Sequence, residues 1–183
     1  HVSEPVISTA PQGAPPTDPS DPVLALVAHA DDNMILAQRL GEWISRAPEL
    51  EEDIAMGNIA LDHLGVARAL YTHAGQLEGK SRGEDDFAMR RLEREFLNVL
   101  LVEQPNGDFA HTMVRGMFFD AYQLELWAGL SVSEDTALAG IATRAGRVVV
   151  GRFFLKRPLD AFPDRCTVLE RKKPDLPEIE WRR

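Results

Sequence analysis

Apolar residues recur every three or four positions over most of residues 23–130, the period of an α-helix with one buried face. Val23, Val27, Ala30, Met34, Ala37, Gly41 and Ile44 form the first stripe and predict a helix over 23–47. Asp21 stands where an N-cap belongs and Pro22 at the first helical position, while Pro48 ends the run. A second helix is predicted over 49–77. Its first turns hold Glu49, Glu51, Glu52 and Asp53, where the helix dipole favours negative charge, and Gly79 and Gly83 break it. A shorter helix is predicted over 84–102, with its charged residues 90–95 as a solvated face. Gln104-Pro105-Asn106-Gly107-Asp108 reads as a turn, because proline limits the helix and Asn-Gly tolerates positive φ. Asp108 can cap a further helix over 109–130, which carries Ala110, Met113, Met117, Ala121, Leu124 and Ala128 on one stripe.

The two ends read differently. Residues 1–22 hold Pro5, Pro11, Pro15, Pro16, Pro19 and Pro22 among Ser, Thr, Gly and Asp, which predicts a disordered tail. Residues 137–150 have helical character, but Gly140, Gly146 and Gly151 weaken it by up to about 1 kcal/mol each relative to alanine. From Pro158 onward, Pro163, Pro174, Pro177 and many charges argue against a packed element. The expected organisation is a tail (1–22), a helical domain (23–142) and a divergent, poorly ordered end (143–183). Long helices without strand signals make the fold class all-α, a helical bundle.

Composition narrows the partners. With 44% hydrophobic residues among 183, the chain has enough apolar side chains for one core. A net charge of −9 argues against nucleic acid and against an anionic membrane surface, both of which call for clustered Lys and Arg. No apolar run reaches the ~18 residues of a membrane span. Cys166 is the single cysteine, which excludes an intrachain disulfide and a cysteine zinc cage and suits a reducing cytoplasm. No basic segment followed by an apolar one opens the chain, so no signal peptide is expected.

Candidate chemistry lies where acids interrupt apolar helix faces, since a buried unpaired charge is expensive. Asp31 and Asp32 border the first stripe, with His29 three residues before Asp32. Asn58, Asp62 and Gly65 share one face of the second helix, and Asp120 follows Met113 and Met117 at helical spacing. Three helices are thus expected to point a polar group inward at mid-height. A four-helix bundle builds a di-iron carboxylate centre in this way, from two glutamates and two Glu-x-x-His pairs. The set here is incomplete. The second helix offers Asp62-x-x-Gly65, and His63 is one residue on from Asp62, about 100° around the helix. No Glu-x-x-His follows residue 131. A working di-iron site, a vestigial polar cluster at Asp32, Asp62 and Asp120, and ordinary surface acids are the three readings of these residues. His73, His111 and Cys166 carry no sign of ligation or activation, and Tyr122 and Trp127 read as core or interface aromatics. No phosphate loop, nucleophile elbow or dinucleotide fingerprint is present.

Several blocks carry a family resemblance. Residues 30–43 (ADDNMILAQRLGEW), 47–55 (APELEEDIA), 58–68 (NIALDHLGVAR) and 100–110 (LLVEQPNGDFA) together resemble the non-catalytic, C-type structural subunits of the phenylacetic acid catabolic family. The resemblance runs from about residue 23 to about residue 142. It implies a ferritin-like four-helix bundle and a place in a multicomponent phenylacetyl-CoA 1,2-epoxidase, a monooxygenase of aerobic phenylacetate degradation. In that system a sister catalytic subunit holds the di-iron centre, and a reductase with flavin and an iron–sulfur centre supplies electrons from NADPH. The implied role of this chain is to stabilise the catalytic subunit while binding no metal or cofactor itself, with Asp32, Asp62 and Asp120 at or near the old ligand height. A homo-oligomer is the other partnership to expect.

Beyond residue 142 the chain departs from the family. Members continue into a fourth long helix carrying a Glu and a Tyr-His pair, whereas this sequence reads RAGRVVVG over 144–151 and ends in a Pro- and Arg-rich stretch. The fourth core helix is therefore expected to be degenerate or missing, through a frameshift, an early stop or a degraded paralogue. An exposed apolar groove and poor stability without a partner follow from that expectation. The competing functional readings are a divergent di-iron oxygenase and a non-functional truncated gene product.

Overall fold

The computed structural model describes residues 21–155. Residues 1–20 of the expected tail (1–22) and everything after 155, Cys166 included, lie outside the described residues; Asp21 and Pro22 are the cap and first residue of a helix.

Among these the structure is entirely helical. Four long helices, α1 (Pro22–Gly41), α2 (Leu50–Glu78), α5 (Phe109–Leu130) and α6 (Thr136–Leu155), are joined by short ones, α3 (Glu84–Met89) and α4 (Leu100–Glu103). Helix α1 lies along α2, α5 along α6, and α2 also meets α6. One core cluster joins Leu26, Ala30, Leu70, Ala74, Trp127 and Ala142 at one end of the bundle. A second joins Leu36, Leu40, Met56, Ala60, Val102 and Phe119 at the other.

Local chemistry sets most of the boundaries. Asp21 accepts from Val23 N at 2.8 Å and caps α1. Helix α2 stops at Gly79, whose φ of 69° lets its N–H reach the Gly75 carbonyl. Asp108 accepts from His111 N at 2.7 Å and starts α5 where the sequence places it. Before it, Gly107 takes a φ of 60°. Arg115 holds that turn by donating to the Gln104 carbonyl at 2.6 Å and to Asn106 Oδ1 at 2.5 Å.

Three expectations need correction. Helix α1 ends at Gly41 rather than at 47. There the chain enters a tight turn with Ser45 at φ 66°, whose N–H is captured by Asp53 at 2.6 Å. The helix predicted over 84–102 is broken into α3, a 3₁₀ turn (Glu93–Glu95) and α4. Its residues 96–99 are extended because Leu97 and Val99 turn their N–H groups onto carboxylates of α1. Within it, Arg91 is almost fully buried rather than part of a solvated face. Lastly, α6 runs unbroken through the expected domain limit at 142, with Ala145 and Val149 buried beyond it. Gly146 faces Trp127, where a Cβ would stand 3.5 Å from the tryptophan Cβ, an ordinary van der Waals contact. Burial of Ala142, Ala145 and Val149 outweighs the propensity cost of the glycines.

Apolar side chains also reach the surface. On α2, Leu50, Ile54, Leu61 and Leu64 are exposed along one side of the helix, and on α5 so are Val114, Met117, Phe118 and Tyr122.

Candidate functional site

The polar groups of the interior radiate from three consecutive residues of α1. Successive side chains on a helix diverge by about 100°. Asp31, Asp32 and Asn33 are all buried, so α1 must be enclosed on several sides. Helix α2, the 84–103 connection and α5 enclose it.

Asp31 faces Tyr71 of α2 and the connection. It accepts from the Tyr71 hydroxyl at 2.5 Å, from Leu97 N at 2.8 Å and from Arg91 Nη1 at 3.0 Å, and Arg91 Nη2 completes the pair. Arg91 is held in turn by the Phe87 and Glu95 carbonyls and lies over the Phe96 ring at 4.3 Å. Burial, and then the Asp31 charge, push the Tyr71 pKa far up, so the phenol stays protonated and donates. Asp32 accepts from Val99 N at 2.7 Å. Its other oxygen is 3.9 Å from His29 Nδ1. Tyr122 approaches the same histidine at 3.4 Å, and its pKa is raised by burial and by the charge of Asp32.

Asn33 points between α2 and α5. Its amide nitrogen donates to the His29 carbonyl at 2.8 Å, which fixes its orientation. Its Oδ1 therefore accepts both from His63 Nδ1 at 2.8 Å and from Gln123 Nε2 at 2.9 Å. This requires His63 to carry a proton on Nδ1. The imidazole also packs against Phe119, ring centres 5.9 Å apart. Gln123 Oε1 is buried without a hydrogen-bond partner among the described residues.

The structure thus divides the three acids singled out from sequence. Asp32 and Asp120 are buried, whereas Asp62 is exposed, as are Asn58 and Gly65. The inward α2 group is His63, about 100° away from Asp62. Expecting Asp62 inside is corrected for that reason: the face of α2 that packs on α1 runs through Met56, Ala60, His63 and Ala67. Sequence reading missed Asn33, Gln123, Tyr71 and Arg91. For the residues on long helices the available signal was placement on core stripes, Asn33 between Ala30 and Ala37 and Gln123 four residues after Phe119, whereas Arg91 carried none.

These donors do not suit two irons. At the point where α1, α2 and α5 meet stand two amides and one imidazole whose Nδ1 is already committed. The Asp31 and Asp32 carboxylates are turned onto backbone N–H groups and Arg91. Among the described residues, no three His, Cys, Asp or Glu side chains come together as metal ligands. What the arrangement does is clamp the 84–103 connection and α5 onto α1.

The chain belongs to the phenylacetic acid catabolic protein family, whose model matches residues 8–147, and its all-helical bundle agrees with the ferritin-like fold of that family. Over 115 residues the chain is 50% identical to the C-type subunit of the 1,2-phenylacetyl-CoA epoxidase of Escherichia coli (strain K12). That alignment takes in 63% of this chain and 46% of the relative, so the chain matches just under half of that protein's length. Among the described residues, no helix is long and apolar enough to cross a membrane.

Proposed function

We propose that the chain is a structural subunit of a phenylacetyl-CoA 1,2-epoxidase, acting in aerobic phenylacetate degradation by holding the di-iron catalytic subunit folded. The observation that carries the reading is the commitment of the buried α1 acids. Asp31 and Asp32 serve Arg91 and two backbone N–H groups, which leaves scaffolding rather than oxygen chemistry to this interior. The likeness to a C-type epoxidase subunit supplies the pathway. The exposed leucines of α2 offer a partner an apolar surface. Metal belongs to the catalytic subunit, and flavin and iron–sulfur chemistry to a reductase. Asp32 and Asp120, both buried, are on this reading remnants of a ligand set, and Asp62, on the outer side of α2, is not one of them.

Co-expression with a catalytic subunit of the same complex tests this. A stable co-purifying complex, with iron following the catalytic subunit, is expected. Near-stoichiometric iron on this chain purified alone would instead favour a divergent di-iron oxygenase. Failure to accumulate in any context would favour a non-functional truncated product.

A further inference from the structure

The connection between α2 and α5 is pinned at two apolar points, Phe87 of α3 and Val102 of α4, both buried. Between them no large apolar side chain is buried. Met89, Leu92, Val99, Leu100 and Leu101 are exposed, and Phe96 and Leu97 are half-buried. The attachment of residues 88–101 therefore owes little to the hydrophobic effect.

What holds this stretch is polar, and it converges on one turn of α1. Asp31 accepts from Leu97 N at 2.8 Å and from both Arg91 Nη atoms, and Asp32 accepts from Val99 N at 2.7 Å. Tyr71, whose hydroxyl donates to Asp31, accepts from Arg91 Nη2 at 3.2 Å. Bonds to a carboxylate are strong individually, and here they are coupled. If Arg91 alone swings out, Asp31 stays buried without its counter-charge, which is strongly unfavourable. If Leu97 and Val99 alone lift away, both carboxylates lose a backbone donor while still enclosed. Release costs least when water replaces all of these donors together. Segments with few buried apolar contacts are the ones that open without global unfolding.

We infer that residues 88–101 form a strap, hinged at Phe87 and Val102, that lifts off α1 as one unit while the four long helices stay folded. Its opening bares Asp31, Asp32 and Tyr71 to solvent. The inference is independent of the scaffolding role, because it concerns a moving part of this chain and no partner, and neither result below bears on complex formation.

Amide hydrogen exchange of the full chain under native conditions, read by NMR, tests it. The Leu97 and Val99 amides should share one protection factor, at least about tenfold below those of the slowest amides of α1 and α2. In low urea their exchange should also rise less steeply than that of the α1 amides, because lifting the strap exposes less surface than unfolding the bundle. Val99→Pro deletes one donor at a φ of −72°, which proline adopts without strain. It should speed exchange at Leu97 by roughly tenfold or more while α2 amides keep their rates. Asp32→Asn keeps an acceptor without its charge and should act in the same direction. Leu97 and Val99 amides as protected and as urea-sensitive as those of α1 overturn the inference, since the segment would then open only with the whole molecule. Exchange at Leu97 that is indifferent to both variants overturns the single unit.

Discussion

Asp31 of α1 and Arg91, sixty residues later, form an ion pair with almost no access to solvent. Neither charge is tolerable there alone. Arg91 fastens the connection between α2 and α5 to the central helix, and Asp31 gathers Tyr71, Leu97 and Arg91 onto one carboxylate. Arg91→Ala removes the counter-charge while the carboxylate stays buried, which typically costs about 3 kcal/mol or more. Urea unfolding should show that loss. Asp31→Asn keeps the shape but not the charge and should also destabilise. If both variants unfold at the urea midpoint of the parent, the clamp is not a stability element.

The amide–imidazole network makes an asymmetric prediction. Asn33 Oδ1 serves two buried donors, His63 Nδ1 and Gln123 Nε2. Asn33→Leu deprives both of that acceptor and should cost about 3 kcal/mol, since a buried donor left unpaired forfeits its desolvation. Gln123→Met removes only one of those donors, and with it a buried oxygen that had no partner. It should fall within about 1 kcal/mol of the parent. Equal losses in chemical denaturation would contradict the assignment of Asn33 as the hub.

The start of α6 should respond to pH through Asp135. Its carboxylate accepts from Ala137 N at 2.9 Å and Leu138 N at 3.1 Å, and meets His73 Nε2 at 2.6 Å. The Leu138 N–H and then His73 lower its pKa below the ordinary aspartate value. A depressed folded-state pKa contributes stability that is present above the unfolded value and lost as pH falls through the folded one. The melting temperature should therefore drop as pH falls from just above the ordinary aspartate value through the lowered one. In Asp135→Asn that part of the slope should be missing. Melting curves of the two proteins between pH 6 and pH 2, roughly the span of a carboxylate titration, compare the slopes directly. Parallel curves would exclude the cap as their source.

The period of the apolar residues made α2 and α5 legible nearly to the residue, because each carries its own stop and start signals at Gly79 and Asp108. The connection over 84–103 was not legible. Its conformation is decided by acceptors on α1, sixty-odd residues away in sequence, and no local pattern announces them. The buried acids were visible as interruptions of an apolar face, but their partners were not. Arg91 looks like any solvated arginine until Asp31 is placed beside it. Asp62 and His63 illustrate the remaining difficulty. Neighbours on a helix differ by about 100°, so a small error in the azimuth of the core exchanges an exposed acid for a buried imidazole.

Two glycines of α2 should respond oppositely to alanine. A Cβ on Gly75 would lie 2.2 Å from the Arg82 carbonyl oxygen and 3.3 Å from its carbon, both backbone atoms. The chain returning from α2 can pass there only because the position lacks a side chain. Gly75→Ala must push that segment off the helix, and it should cost on the order of 1–3 kcal/mol, as overpacking does. Gly65 stands in the middle of the same helix, exposed, and a Cβ added there would meet nothing within 4 Å. There alanine removes backbone freedom from the unfolded chain at no steric cost, so Gly65→Ala should stabilise by about 0.5–1 kcal/mol. The pair separates folding from association as well. Gly65 lies three residues after Asp62 on the exposed side of α2. If a catalytic subunit packs closely there, Gly65→Ala will raise the melting temperature of the isolated chain while weakening the complex. An unchanged complex with a raised melting temperature would place the contact elsewhere on α2.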